Sequence, residues 1–196
     1  MWQWFKKIIG YKNTKFDRQF THLPFVTKVW AWQQSEILCN RVYIKEADVA
    51  FSSVFPKLVC RQVMKTINQV IEYTHDFIQY GRDHWPTSEQ VFKTMKDDCD
   101  GQSIAMWYLL ISAGIPADQI GMCYLKGIGK KDNRGHMIAV WHDPKLEDDF
   151  WVLDNKFLTK KMIKASKLFP IKRNGRIFNP IYGFNTKDTW IYKEIK

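Results

Sequence analysis

Residues 97–118 read DDCDGQSIAMWYLLISAGIPAD and contain the pattern on which the fold prediction depends. Residues 104–113 are almost wholly apolar and helical in composition, which is typical of a helix that is buried on most of its sides. Gly114 supplies a natural stop, and Pro116 blocks continuation of the helix. The stretch therefore predicts a central core helix with one cysteine, Cys99, near its N-terminal end.

The hydrophobic periodicity changes after this helix, from helical spacing to short apolar runs. Residues 121–126 predict one strand, and residues 135–141 predict a second strand with His136 at its entry. Residues 150–155 predict a third strand that ends in a carboxylate, Asp154, and the C-terminal residues indicate further strands. A helix that bears one cysteine, followed by an antiparallel sheet, is an α+β plan.

Two further helices are predicted upstream of the cysteine. Apolar residues recur at helical spacing from Lys57 to Tyr80, where Pro56 can open the helix and Gly81 suits its end. Thr87 or Ser88 is predicted to cap a shorter helix that follows a turn. The residues before Pro56 are mixed in composition and give only weak boundaries.

The chain of 196 residues carries a formal net charge of +10. Much of the excess follows Asn155 in the sequence. A basic surface can attract nucleic acid, anionic lipid or an acidic protein, and it can also be a solvated surface without a specific partner. Because the sequence has no zinc finger, RNP motif or arginine-rich block, nucleic acid is not the partner that we predict.

The N-terminal residues 1–10 read MWQWFKKIIG, an apolar stretch that Lys6 and Lys7 interrupt. A secretory signal places its positive charge before an unbroken apolar run, so no signal peptide is predicted. The alternative is a short amphipathic element that touches a membrane or a partner. Elsewhere no apolar run approaches the roughly 20 residues that a membrane helix requires, so no transmembrane segment is predicted.

The four cysteines are spaced too widely for a zinc knuckle. Without a secretory signal, reduced thiols are expected. We predict three inert cysteines and a single functional one, Cys99, because charged and small polar residues surround it. The other three are Cys39, Cys60 and Cys123.

Cys99, His136 and Asp154 stand out because of the places at which they fall in the predicted elements. If the second and third strands are antiparallel neighbours, the start of one lies beside the end of the other, and imidazole and carboxylate meet. A helix N-terminus packed against that edge brings the thiol to the imidazole. The terminus and a nearby imidazolium favour the thiolate, the carboxylate orients the ring, and free backbone amides can donate to an oxyanion.

Each of these three residues also has a structural interpretation that the sequence leaves open. A cysteine is often a small buried apolar side chain, and a histidine at a strand entry is often a hydrogen-bonded structural residue. Asp154 with Asn155 is also consistent with turn chemistry. The spacing of the three residues is by itself a weak signal.

The sequence resembles the bacterial transglutaminase-like cysteine proteinases at these same positions. Residues 97–100 (DDCD) are similar to that family's motif of a cysteine between acidic residues, and residues 114–118 (GIPAD) are similar to the turn that ends its helix. Residues 136–137 (HM) and 153–155 (LDN) are similar to its histidine strand and its aspartate strand end.

Two more segments extend the resemblance in both directions. Residues 83–89 (DHWPTSE) resemble a segment upstream of the family's cysteine, and residues 180–185 (PIYGFN) resemble its closing segment. The resemblance covers roughly residues 57–192, with its motifs in the family's order. We therefore expect one domain over residues 1–196, in which residues 1–55 form a less certain N-terminal extension.

The resemblance implies a papain-like, transglutaminase-core fold in which the nucleophile helix packs on an antiparallel sheet. It implies a nucleophile at Cys99, a general base at His136 and an orienting acid at Asp154. It further implies that Asp98 and Asp100 can help to hold Ca²⁺, for which oxygen ligands are suited. The alternative is that these two acids cap the helix and complement its dipole.

The function expected from this resemblance is a thiol hydrolase that cleaves a peptide or amide bond of a protein or peptide substrate. The same three residues can also transfer the acyl group to an amine or deamidate glutamine. A hypothesis of another class is a non-catalytic binding module that uses the basic surface. Because no signal peptide is predicted, a cytoplasmic or phage-associated location is expected in preference to the periplasm.

Overall fold

The computed structural model describes residues 15–20, 54–79, 81, 84–129, 135–185 and 188–195. Features of the sequence analysis that lie outside these ranges include the amphipathic stretch of residues 1–10, Cys39 and the first residue of the segment 83–89. The helices are α1 (Pro56–Val70), α2 (Asp76–Gln79), α3 (Ser88–Thr94), α4 (Cys99–Ser112) and α5 (Ala165–Leu168). The strands are β1 (Lys15–Phe20), β2 (Glu72–Tyr73), β3 (Lys96–Asp97), β4 (Ile120–Gly129), β5 (Gly135–Trp141), β6 (Trp151–Leu153), β7 (Ile163–Lys164), β8 (Ile171–Arg173), β9 (Arg176–Phe184) and β10 (Thr189–Ile195).

One large antiparallel sheet carries most of the strands. Its order is β1-β10-β9-β4-β5-β6-β7, and β8 adds a further pairing to β9. The sheet therefore includes β1, which comes from the part of the chain that the sequence analysis treats as an extension. The prediction of one domain over the whole chain stays a prediction.

The central helix α4 is buried along almost its whole length and packs on β5 and against α1. Its apolar residues enter one cluster with the inward faces of α1, β4 and β5. A second cluster lies on the opposite face of the sheet and includes Ile138, Val140 and Trp190. The α+β prediction of a nucleophile helix packed on an antiparallel sheet is confirmed.

The helix predicted over residues 57–80 is shorter in the structure, because α1 ends at Val70. The chain leaves the helix there because backbone groups of Ile71 and Glu72 form hydrogen bonds with residues outside the helix. Gln102 Nε2 donates to the Ile71 carbonyl at 3.0 Å, and Glu72 N–H donates to the Met95 carbonyl at 2.9 Å. The parallel pairing of β2 with β3 that follows places the short helix α2 beside the N-terminus of α4.

The predicted helix cap at Thr87 and the first predicted strand are closer to the observed elements. Thr87 caps α3 through a capping box, in which its hydroxyl accepts from Gln90 N–H and Gln90 Oε1 accepts from Thr87 N–H. Strand β4 is longer at both ends than the predicted 121–126. Among the described residues, no helix has the length and apolar character that crossing a membrane requires.

Candidate active site

Cys99 is the first residue of α4 and is only partly exposed. Asp98 caps the helix, since its side chain accepts from Asp100 N–H at 3.4 Å. Ser103 Oγ donates to the Cys99 carbonyl at 2.7 Å and fixes the first turn. Burial raises the pKa of the Cys99 thiol, and the backbone of Met137 in β5, the residue that follows His136, opposes this shift.

The other described cysteines have a different environment. Cys60 lies on the buried face of α1 and Cys123 is buried in β4. Burial raises the pKa of the Cys60 thiol to about 12 and that of Cys123 well above its ordinary value. Both are therefore inert core residues, and Cys39 lies outside the described residues.

His136 and Asp154 are in direct contact at the sheet edge. Strands β5 and β6 are antiparallel neighbours, with Ala139 opposite Leu153, so the start of one strand lies near the end of the other. The His136 Nε2 atom is 2.7 Å from Asp154 Oδ1, and both side chains are buried, with exposed fractions of 4% and 0%. This pairing leaves Nδ1 as the ring nitrogen that is available to a thiol.

The Asp154 carboxylate is held by backbone donors as well as by the imidazole. Its Oδ2 atom accepts from Leu158 N–H at 2.5 Å and from Thr159 N–H at 2.9 Å. Its own backbone carbonyl accepts from Asn68 Nδ2 of α1 at 2.9 Å. Hydrogen bonds from backbone N–H groups restrict the orientation of the carboxylate.

The aromatic ring of Phe157 covers the His136 imidazole, with 4.6 Å between the ring centroids. The Arg173 guanidinium lies over the Phe157 ring, 4.7 Å from the centroid of that ring. A half-buried ring against the imidazole shields the His136–Asp154 hydrogen bond from water and limits rotation of the histidine. The orientation of His136 is therefore fixed by both polar and apolar contacts.

Carboxylates crowd the other side of the site, around the N-terminus of α4. Asp76, Asp97 and Asp98 have side-chain oxygens within 4.8 Å of one another, and Asp98 and Asp100 have the same relation to the Cys99 sulfur. The carboxylate oxygens Asp97 Oδ2 and Asp100 Oδ2 are buried and accept no hydrogen bond from the described residues. Burial raises the pKa of Asp97 to about 7 and that of Asp100 well above its ordinary value.

This crowding also acts on the candidate nucleophile. Burial first, and then the charges of Asp100 and Asp98, raise the pKa of the Cys99 thiol well above its ordinary value, although the Met137 N–H opposes the shift. The expected preference of the helix N-terminus for a thiolate is therefore outweighed in these surroundings. Any group that neutralises the carboxylates would act in favour of the thiolate.

Two tyrosines are sensitive to the charge state of Cys99. Burial raises the pKa of Tyr73 and of Tyr124, and the charge on an ionised Cys99 raises both further. The ring of Tyr124 stacks on Tyr182 with 5.0 Å between centroids. It also lies against Gly135, where an added Cβ would come within 2.0 Å of the ring.

The sequence analysis found some residues of this site and missed others. The structure brings His136 together with Asp154, and it brings Asp98 and Asp100 together with Cys99. Trp85, from the segment 83–89, stacks on Phe184 with 5.8 Å between centroids. Further polar residues of the site were not predicted. These are Asn68, Tyr73, Asp76, Asp97 and Tyr124.

The comparisons identify the structural class of this site. No family model matches the sequence, and no curated protein is similar to it. Structure comparison shows that the fold is that of the transglutaminase-like cysteine proteinases, so the resemblance noted in the sequence is confirmed. The solved structures that this fold resembles are those of a cysteine protease, which supports a peptidase-like enzyme.

The chain is similar in particular to LapG from Legionella pneumophila. One LapG structure is 26% identical with a TM-score of 0.54, and the match covers 69% of this chain and 67% of LapG. A calcium-bound LapG structure is 27% identical with a TM-score of 0.55, covering 69% and 68% of the two chains. An EGTA-treated LapG structure, 23% identical with a TM-score of 0.54, matches 87% of each chain and shows the likeness in fold.

Proposed function

We propose that the protein is a thiol hydrolase that cleaves peptide or amide bonds of a protein or peptide substrate. Cys99 is the nucleophile, His136 the general base and Asp154 the orienting acid. The observation that carries the proposal is the buried His136–Asp154 hydrogen bond of 2.7 Å at the start of β5, the strand on which α4 packs with Cys99 as its first residue. The similarity to LapG supports the same class of chemistry.

The reaction follows from the positions of these atoms. His136 Nδ1 accepts the thiol proton, and the sulfur attacks the substrate carbonyl carbon. The imidazolium, which Asp154 stabilises through Nε2, then protonates the leaving amine, and a thioester at Cys99 remains. His136 next takes a proton from water, which attacks the thioester and releases a carboxylic acid and the free thiol.

The backbone N–H groups at the start of α4 supply the stabilisation of the oxyanion. The first amides of a helix have no partner within the helix, and that of Cys99 is adjacent to the reacting sulfur. Such donors act on the charge that develops on the carbonyl oxygen during attack. Transfer of the acyl group to an amine, or deamidation of glutamine, would use the same thioester and differ only in the group that resolves it.

Alkylation by iodoacetamide at pH 6 tests the assignment of the nucleophile. We expect fast labelling of Cys99 in millimolar calcium, detected by peptide mass mapping, and loss of that fast phase in His136→Ala. Cys60 and Cys123 are internal controls, because their side chains are fully buried whereas that of Cys99 is partly exposed. Equally slow labelling of all four cysteines would overturn the proposal in favour of a non-catalytic module with a basic surface.

We further propose that the carboxylates around Cys99 hold Ca²⁺. Asp98 and Asp100, which the sequence analysis named, lie beside Asp76 and Asp97 in one cluster. Buried oxygens without hydrogen-bond donors, Asp97 Oδ2 and Asp100 Oδ2, fit a hard cation that prefers oxygen ligands. A calcium-bound structure of LapG supports this proposal.

The chemistry that bound calcium would supply is neutralisation of the negative charge next to the thiol. Isothermal titration of the wild-type chain with calcium tests the site directly, with Asp98→Ala and Asp100→Ala as the variants. Binding to wild type that both variants weaken is the expected result. A wild-type chain that takes up no calcium would overturn the proposal.

A further inference from the structure

A pocket of about 490 Å³ lies between α1 and the segment that joins β6 to β7. Five of its lining side chains are cationic, and the others in the lining are two methionines and two amides. The cationic residues are Arg61, Lys65, Lys156, Lys160 and Lys161. No carboxylate and no aromatic ring lines the pocket in the part of the chain that the structure describes.

The positive charge of this basic pocket is not balanced locally. Within the described ranges, none of its five cations forms an ion pair with a carboxylate. Lys156 is held in place, since its Nζ atom donates to the Asn68 carbonyl in the last turn of α1. Like charges converging on one concavity create a potential that attracts an anion.

The basic pocket shares a wall with the candidate active site. The backbone N–H groups of Leu158 and Thr159, which lie between the pocket residues Lys156 and Lys160, hold the Asp154 carboxylate. From the opposite wall, Asn68 Nδ2 donates to the Asp154 backbone carbonyl. A ligand in the pocket would therefore contact the segments that position Asp154.

We propose that the basic pocket binds an acidic segment of the protein substrate, a short run rich in Glu and Asp. Five flexible cations suit several separate carboxylates, each of which accepts charge-assisted hydrogen bonds. Single-stranded nucleic acid is bound through aromatic stacking as well as charge, and the described lining offers no ring on which a base can stack. The assignment of this segment to a substrate rests on the proposed function, whereas the affinity of the pocket for an acidic segment does not.

Binding is tested with fluorescein-labelled octapeptides of glutamate and of glutamine, measured by fluorescence anisotropy at low ionic strength. We expect the glutamate peptide to bind the wild-type chain and to bind Lys160→Ala/Lys161→Ala about tenfold more weakly. The control Lys145→Ala/Lys167→Ala removes the same charge from exposed positions outside the pocket and should weaken binding less than about twofold.

Two outcomes of the binding experiment would overturn the proposal. Equal weakening in both double variants would show a general effect of net charge and no pocket. Tighter binding of an oligothymidine of the same length, with the same sensitivity to Lys160 and Lys161, would identify a nucleic-acid site instead.

The link to catalysis is tested with peptides that carry an iodoacetyl group followed by six glutamates or six glutamines. The acidic peptide should alkylate Cys99 faster than the neutral one, and this advantage should disappear in Lys160→Ala/Lys161→Ala. Acidic peptides that bind without accelerating alkylation would overturn the role in substrate binding. If neither peptide labels Cys99 while anisotropy still reports pocket binding, the proposed thiol chemistry fails and acidic-segment binding is supported.

Discussion

The two halves of the candidate site differ in how completely the protein satisfies its own polar groups. On the sheet side, Asp154 receives donors at both carboxylate oxygens and His136 is covered by Phe157. On the helix side, Asp97 and Asp100 keep buried oxygens without a donor among the described residues. The His136–Asp154 pair is held by protein atoms alone, whereas the carboxylates on the helix side have the character of an ion site.

This difference separates two tasks that a cysteine hydrolase requires. Orientation of a general base depends on fixed hydrogen bonds, which a buried strand edge supplies through its backbone. Reactivity of a thiol depends on the surrounding charge, and here the adjacent carboxylates raise the pKa of Cys99. A site of this construction can keep its base ready while the nucleophile responds to a cation.

The largest effect is expected at the sulfur itself. Cys99→Ala removes the nucleophile and should abolish turnover of any substrate that the wild type cleaves. The fold should persist, because alanine is small and suits a helix, so circular dichroism and the thermal midpoint should stay near those of the wild type. Cys60→Ala is the matched control and should retain activity, and full activity of Cys99→Ala would remove the role of this residue.

The next largest effect is expected from Asp154→Asn. If the asparagine oxygen accepts from Leu158 and Thr159, its NH₂ group faces His136 Nε2, which must then be the unprotonated nitrogen. The ring proton then lies on Nδ1 and blocks transfer from the thiol, so kcat should fall by about 10³- to 10⁴-fold.

A matched control for this substitution is Asp149→Asn, because Asp149 is also held by local donors, Ser166 N–H and Oγ, but belongs to neither half of the site. It should cost stability without a comparable loss of kcat. Steady-state kinetics with both variants make the comparison, and an unchanged kcat in Asp154→Asn would show that the carboxylate has no orienting role.

The sheet half of the site was easier to predict from the sequence than the helix half. Short apolar runs predicted β5 and β6, and antiparallel pairing then required His136 and Asp154 to lie close together. Asp76 was not predicted, because its stretch also fits the continuous helix expected over residues 57–80. That helix ends early because Gln102 and Met95, which are distant in sequence, bond to the chain around Ile71.

Asn68 illustrates a second reason why some residues of the site could not be predicted from the sequence. It lies among ordinary helical residues of α1, and its contact with Asp154 joins positions that are 86 residues apart. Nothing in the local pattern distinguishes it from an exposed polar residue. The acids on either side of Cys99, in contrast, are adjacent to it in the chain, and their proximity was predictable.

A smaller effect is expected when calcium is added or removed, and it tests whether the helix half of the site is completed by a cation. At free calcium about 100-fold above the dissociation constant, the free energy of unfolding should rise by about 2.7 kcal/mol. EGTA should reverse the gain. Urea unfolding followed by circular dichroism measures the difference.

Asp100→Asn should lose this gain while making the calcium-free protein more stable, because it replaces a carboxyl whose pKa is raised by burial and then by Asp98. The exposed Asp118→Asn is the control and should keep the full response. A calcium response that persists in Asp100→Asn would place the cation elsewhere, and the contrast between the two halves would then need another explanation.

The smallest effect is expected at the contact between Gly135, the first residue of β5, and the ring of Tyr124. Gly135→Ala places a Cβ within 2.0 Å of the Tyr124 ring, and Tyr182 stacked on that ring restricts its retreat. Overpacking of this kind should lower the free energy of unfolding by about 1–3 kcal/mol. In a Tyr124→Ala background the ring is gone, so the same glycine substitution should cost much less. Urea unfolding of the four chains gives the coupling energy. If the cost were equal in both backgrounds, contact with Tyr124 would not be what requires glycine before His136.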